Sequence, residues 1–398
     1  MVWQPGAVTG SARLAPSKPL QSWKDYLAFH LIDHDADVLP TAFQAEHRAH
    51  QAALAGDPPP PEPDPAAAAR AATEAALGDG VAQLYVERHV PAGTKPAAQA
   101  MVADIRAVFR RHIQTAAWMS PASRAQALAK LASLRIGVVY PDRWVDYGPL
   151  AITPGDAFGN LRRVQAFDYA RQTDKLPRPA DPGEWPDGLR PQMAGAILDH
   201  SPNAMQFAVG ILQPPYFDAA RDLASNYGSA GAGLAHEVSH SFDEVGEIYD
   251  VEGRLVRWRT AADIAAFKLA TAPLAAQLDG CCPAPDLCAH GQQVLGETAA
   301  DLVGLEIAHE AYLRALHGRP DVVKDGLTGE QRFFIAFAKR WRRLQSEAAL
   351  RRQIATDTHA PGPCRAALVR NLDAWTRAFA VKPGDRLYLA PSARIHIW

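Results

Sequence analysis

Cysteine is scarce in this 398-residue chain: there are four, too few for a disulfide scaffold. Three of them, Cys281, Cys282 and Cys288, crowd one short stretch. Their spacing is not that of a zinc ribbon, and no second Cys pair faces them. They read as free thiols in a surface loop, with a loop disulfide as the alternative in an oxidising compartment. Long apolar runs are also missing. None approaches the ~18 residues that cross a bilayer, which excludes a helical membrane segment from this sequence. Met1 to Gly10 contains neither a basic stretch nor a hydrophobic one, so no export signal is read there. Charge of one sign is absent too. A net charge of −2 gives no basis for a nucleic acid or an anionic membrane as partner. Arg outnumbers Lys 32 to 9, and the basic residues read as scattered, an effect of codon bias. The remaining composition, 48% hydrophobic and 21% charged, is that of an ordinary globular protein. The length suffices for two or more domains.

Proline punctuates the chain. The stretch Asp57-Pro58-Pro59-Pro60-Pro61-Glu62-Pro63-Asp64-Pro65 excludes helix and central strand and reads as an exposed connector. Apolar spacing from Gln21 to about Arg135 is mostly helical, as in Trp23/Tyr26/Leu27 and Met101/Ile105/Val108/Phe109. Ser120 followed by Pro121 predicts a helix start. A second proline cluster, from Pro177 to Pro191, predicts a domain boundary near residue 185. Beyond it, Asn203 to Val209 reads as a short strand, and Gly228, Gly231 and Gly233 lead toward a helix. Helical periodicity resumes over 294–316 and 331–343.

The helix after those glycines carries His236-Glu237-Val238-Ser239-His240. Histidines at i and i+4 share one helical face, and that face can grip a zinc ion with a carboxylate held beside it as general base. Chance would supply roughly 0.02 such matches in a chain of this composition. The plainer alternative is an amphipathic helix with both histidines in its polar face. A catalytic zinc needs a third protein ligand. The route through a third histidine directly downstream is closed, because positions 243 and 246 are Asp and Gly. Glu297 and Asp301, again i and i+4, offer a ligand and a carboxylate to fix the tautomer of a ligand histidine. Alone, that pair would read as a solvated acidic edge. Asp243 reads equally as a partner for a ligand histidine or as a cap of the helix end.

Taken together, these residues resemble the neprilysin family of zinc endopeptidases. The resemblance extends through Asn203-Ala204, Gly210-Ile211-Leu212-Gln213-Pro214-Pro215, Asn226-Tyr227-Gly228, the block from Glu297 to Asp301, Asp357-Thr358-His359-Ala360-Pro361, Arg365, Asn371 and Trp398. It is weak from about Trp23 and strong from about Trp185. Thr298 and Ala299 replace the family's Asn and Ile, and Arg259 replaces the second of two tryptophans.

The resemblance implies a mainly α (α+β) fold. Residues 1–184 would form a helical partial cap domain with the Pro-rich connector at 57–65. Residues 185–398 would form a zincin-like catalytic domain with a small β-sheet. It implies one Zn2+ per chain, held by His236, His240 and Glu297, with Glu237 as general base and Asp301 behind a ligand. His359 would donate to the oxyanion, Arg365 would hold a substrate carbonyl, and Asn203 and Ala204 would pair with the substrate backbone as an edge strand does. Peptides are the implied substrates. Family members are typically longer at the N-terminus, so the chain reads as starting partway into the cap. The family implies the periplasm or cell exterior, and the missing export signal implies the cytoplasm if the start is genuine. A truncated zinc- or peptide-binding remnant is the alternative to an active endopeptidase.

Overall fold

After α1 (Pro5–Ser17), which precedes the periodicity read from Gln21, that periodicity is realised as α2 (Leu20–His34), α3 (Thr41–Ala55), α4 (Pro65–Ala76), α5 (Gly78–His89), α6 (Thr94–Thr115) and α7 (Pro121–Ser133). The structure is a computed structural model that describes residues 4–398 except 180, 182 and 187. Residues 57–64 hold no helix or strand, and Asp64 caps α4 by accepting the Ala67 N–H at 2.9 Å. The alanines after the prolines therefore belong to that helix. Ser120 caps α7 as its position predicts, with Pro121 in the first turn.

The chain divides into two units. One comprises Met1–Val81 with Val145–Pro179, and the other comprises Ala82–Trp144 with Ala180–Trp398. Residues 82–144, grouped by sequence with the first half, thus pack with the second. The first unit holds α1 to α4 and α8 (Ala157–Thr173). α1 and α2 bury none of their side chains; Tyr26 and Leu27 lie on a helix, as spaced, but stay exposed.

In the second unit, α6 supplies Met101, Ile105, Val108 and Phe109 to the core. A three-stranded sheet lies beside it, built from β1 (Arg135–Val139), β2 (Ala196–Asp199) and β3 (Ala204–Ala208) in the order β1-β3-β2. β3 is the central strand, parallel to β1 and antiparallel to β2, and it is buried along its whole length. The remaining helices are α9 (Leu223–Asn226), α10 (Ala232–His240), α11 (Ala261–Asp279), α12 (Leu295–Ala315), α13 (Gly329–Arg340), α14 (Glu347–Thr356), α15 (Gly362–Ala366) and α16 (Asp373–Ala378). A π-helical turn, Tyr227–Gly231, joins α9 to α10, so the three glycines read as a lead-in lie within helical turns. No described helix is long and apolar enough to cross a membrane.

Two features set the positions of the site helices. α10 and α12 pack at close range because Gly304 faces the backbone of α10. A Cβ there would lie 2.7 Å from the Ala232 carbonyl oxygen and from the His236 nitrogen. The second feature corrects the reading of free thiols. Cys282 pairs with Cys288 within the loop, and Cys281 pairs with Cys364, 83 residues away, so no cysteine is free. The longer tether pins α15 to the end of α11. Loop-closure entropy for a ring of this size is worth about 4 kcal/mol. Urea denaturation of Cys364→Ser should show a loss of that order, and reduction of the parent chain, which also opens Cys282–Cys288, should cost at least as much. A loss below about 1 kcal/mol would mean that the tether does little to restrain the unfolded chain.

Candidate metal centre and catalytic cavity

α10 projects His236 and His240 one turn apart, and α12, held close by Gly304, brings Glu297 up to them. The three donor atoms lie within 4.8 Å of one another. His236 Nε2 is 3.1 Å from His240 Nε2 and 3.3 Å from Glu297 Oε2. His240 Nε2 is 3.6 Å from the same oxygen. A tetrahedral ion with bonds of about 2.0–2.1 Å requires donor separations of about 3.3–3.4 Å, and these distances bracket that figure. Glu297 Oε2 is buried with three imidazole nitrogens converging on it, from His236, His240 and His359. A buried carboxylate oxygen facing two imidazole nitrogens at tetrahedral spacing is what a zinc site presents.

The outer partners are in place. His236 Nδ1 lies 2.9 Å from Asp301 Oδ1, and His240 Nδ1 lies 2.6 Å from Asp243 Oδ2. The other Asp243 oxygen accepts the Val245 and Gly246 N–H groups at 2.8 Å, in the turn after α10, so of the two roles open to it in sequence Asp243 takes that of histidine partner and does not cap the end of α10. Asp301 also accepts two hydrogen bonds from Arg365, at 2.5 and 2.6 Å. The Arg365 guanidinium lies 3.9 Å from the Trp341 ring centre. Arg365 is thus committed to Asp301 and positions it.

Burial disfavours charge on His236, but Asp301 and then Glu297 outweigh it and raise its pKa. Burial is likewise overcome at His240, where Asp243 and Glu297 raise the pKa to about 10. Glu297 is desolvated, yet His236, His240 and His359 hold it far below the usual carboxylate range. A metal ion takes the place of the protons such a cluster otherwise shares. Asp301 resists the upward push of burial because Arg365, then His236, lower its pKa to about 2.

Glu237 lines the same cavity, of about 520 Å³, and its carboxylate has no hydrogen bond or ion pair among the described residues. His359 sits at the mouth, with Nε2 3.1 Å from Glu297 Oε2 and Nδ1 2.8 Å from Asp357. The Glu297 hydrogen bond, against opposing burial, raises the His359 pKa.

Asn203 and Ala204 are not placed as the resemblance implied. Asn203 is buried, and its amide donates to the Lys130 carbonyl at 2.9 Å and to Ser133 Oγ at 2.8 Å. Ala204 is paired on both sides, with Arg135 and with Asp199. The strand with an outer edge on this side of the sheet is β2, and its Leu198 lines the cavity. Sequence reasoning missed β2 and also His200, which lines the cavity while stacked on Tyr249 at 4.9 Å. A four-residue strand after a proline cluster and a lone histidine give no local signal. Arg259, in place of a tryptophan, is buried against Trp118, Trp258 and Phe267, so its guanidinium occupies an aromatic niche. Asn371 is wholly buried and accepts the Ile395 N–H, and Trp398 packs on Phe109, Phe242 and Trp118.

Two imidazoles and a carboxylate at tetrahedral spacing, with an unpaired carboxylate alongside, define a mononuclear zinc site of hydrolytic type. The comparisons agree. Models of "Peptidase family M13" match residues 196–395 and residues 1–141. The chain belongs to peptidase family M13. It is 30% identical to Neprilysin-3 of Drosophila melanogaster over 338 residues, covering 82% of this chain and 42% of that protein. It is 30% identical to the neutral endopeptidase of Lactobacillus helveticus over 381 residues, covering 94% and 56%. Among solved structures, the zinc metalloprotease Zmp1 of Mycobacterium tuberculosis in its open state matches with a TM-score of 0.88 and 37% identity, covering 99% of this chain and 62% of that one. The chain spans about half the length of the curated relatives it matches.

Proposed function

We propose that this chain carries the catalytic machinery of a zinc-dependent endopeptidase acting on peptides. The observation that carries the reading is the donor triangle of 3.1, 3.3 and 3.6 Å with Glu237 unpaired beside it. His236, His240 and Glu297 would hold the zinc, and Asp301 and Asp243 would fix the tautomers of the two histidines. Bound zinc supplies Lewis acidity toward a substrate carbonyl and lowers the pKa of a coordinated water. Glu237, unpaired in the cavity, would accept a proton from the attacking water and return it to the departing amine. His359, whose Nε2 lies 3.1 Å from Glu297 Oε2 at the cavity mouth, would donate to the carbonyl oxygen as it gains charge. The outer edge of β2 offers backbone groups to an extended peptide. Support for the reading also comes from the names of the matched proteins, which are endopeptidases or zinc metalloproteases.

The test is cleavage of a quenched fluorescent peptide library by the purified chain, with and without a zinc chelator. Chelator-sensitive cleavage restored by zinc is expected. Stoichiometric zinc without cleavage would leave a metal-binding remnant as the better description.

A further inference from the structure

A separate cleft of about 1270 Å³ lies in the second unit. It is lined by seven basic side chains and two acidic ones, in a chain whose net charge is −2. The basic residues judged scattered along the sequence converge here. Part of the convergence is local, because Lys339-Arg340-Trp341-Arg342-Arg343 is itself a run of four cations around one ring. Two further arginines are spent on structure. Arg221 donates to the Pro215 and Ser225 carbonyls, and Arg332 to Asp222 and the Leu327 carbonyl. Lys339, Arg342 and Arg343 are exposed and have no side-chain partner among the described residues. Asp222 is already paired with Arg332, which leaves Asp325 as the other acidic lining residue. The cleft therefore carries a surplus of positive charge on concave walls, where fields are focused.

The cleft adjoins the catalytic cavity through shared elements. Arg340 donates to the Ser229 carbonyl at 3.0 Å, and its guanidinium occupies the space that a side chain at Gly233 would fill. Gly233 stands four residues before Glu237 on α10, one turn or about 6 Å away along the same face. The guanidinium groups of Arg340 and Arg365 both lie against the Trp341 ring, at 5.1 and 3.9 Å from its centre. Pro361 and Gly362 line the cleft, just after His359 at the catalytic mouth. An extended chain advances about 3.3 Å per residue. A peptide laid across Glu237 therefore reaches Arg340 within one or two residues.

We propose that this cleft selects peptides with an acidic side chain one or two residues from the bond that is cut, with Arg340 as its inner anchor and Arg342 and Arg343 as its outer ones. The proposal rests on the endopeptidase reading and names its substrate class. A carboxylate at that place gains a charge-assisted hydrogen bond that its amide counterpart lacks.

The test uses matched peptides that differ only by Glu or Gln at those positions, with the full zinc-loaded chain. Cleavage is read as the Glu-to-Gln ratio of kcat/KM. Binding is read separately, by fluorescence anisotropy of uncleavable versions of the same peptides. The expected ratio is at least about tenfold in favour of Glu, falling toward one at high salt. Arg340→Glu should invert it. The double variant Arg342→Glu/Arg343→Glu, on an exposed segment, should reduce it if the buried substitution fails to fold. Equal affinities for the Glu and Gln peptides would overturn the proposal, and so would displacement by any polyanion at matched charge, which would mark a general anion cleft. If neither peptide is cut while the Glu form still binds tighter, the endopeptidase reading fails and the acidic-peptide cleft stands.

Discussion

Glu237→Gln is expected to lower kcat by about a thousandfold while the chain still binds one zinc. A positioned general base contributes typically 10²–10⁴ to rate, and this substitution removes the base without changing its size. The Glu237 carboxylate faces the catalytic cavity unpaired and stands outside the group His236, His240 and Glu297. Removing it disturbs neither the donor triangle nor any hydrogen bond described for the fold. The checks are steady-state turnover of a peptide that the parent chain cuts, and zinc content by atomic absorption. Unchanged kcat would sink the assignment of Glu237 as base. Lost zinc would show that it contributes to metal binding.

The largest combined effect on stability and metal binding is expected at Asp301. This residue is 3% exposed and accepts from Arg365, itself largely covered, while holding His236 Nδ1 at 2.9 Å. Asp301→Ala leaves a buried guanidinium without a counter-charge, at a cost of about 3–5 kcal/mol. Asp301→Asn retains the shape and one acceptor but loses the charge. Its zinc affinity should fall about 10–100-fold, the usual effect of removing a group that orients a ligand histidine. Burial favours protonation of Asp301, but Arg365 and His236 depress its pKa to about 2. Its contribution to stability is therefore complete above the unfolded value near 4 and lost as pH falls from about 4 toward 2. The stability gap between parent and Asp301→Asn should narrow over that window. Urea midpoints against pH and a competitive chelator titration measure the two effects. Unchanged zinc affinity in Asp301→Asn would separate Asp301 from the orientation of His236.

What the sequence disclosed about this site follows a physical line. The pairs His236/His240 and Glu297/Asp301 are both i,i+4, and helical geometry alone places each pair on one face. The cap at Ser120 and the strand at 204–208 are likewise local. What stayed hidden depends on contacts between distant segments. β3 is central only because β1, more than sixty residues upstream, pairs with its far side. That pairing removes Ala204 from any substrate, and the amide of Asn203 is turned onto Lys130 and Ser133 by the same packing. The partner of Cys281 lies 83 residues away, beyond any spacing rule. Arg221 and Arg332 look ordinary in sequence and meet the 339–343 run only through the fold.

Gly304 bears on which ion the site accepts. With no side chain between them, α12 and α10 touch backbone to backbone, so the gap between Glu297 and the histidine pair is a fixed jaw. A calcium ion takes six to eight oxygen ligands, and two imidazoles with one carboxylate supply too few of them. Opening the jaw to admit further donors would mean separating two packed helices. The donor set therefore suits a small four-coordinate ion, and a single hydrogen in place of a methyl group on α12 holds its donors at that spacing.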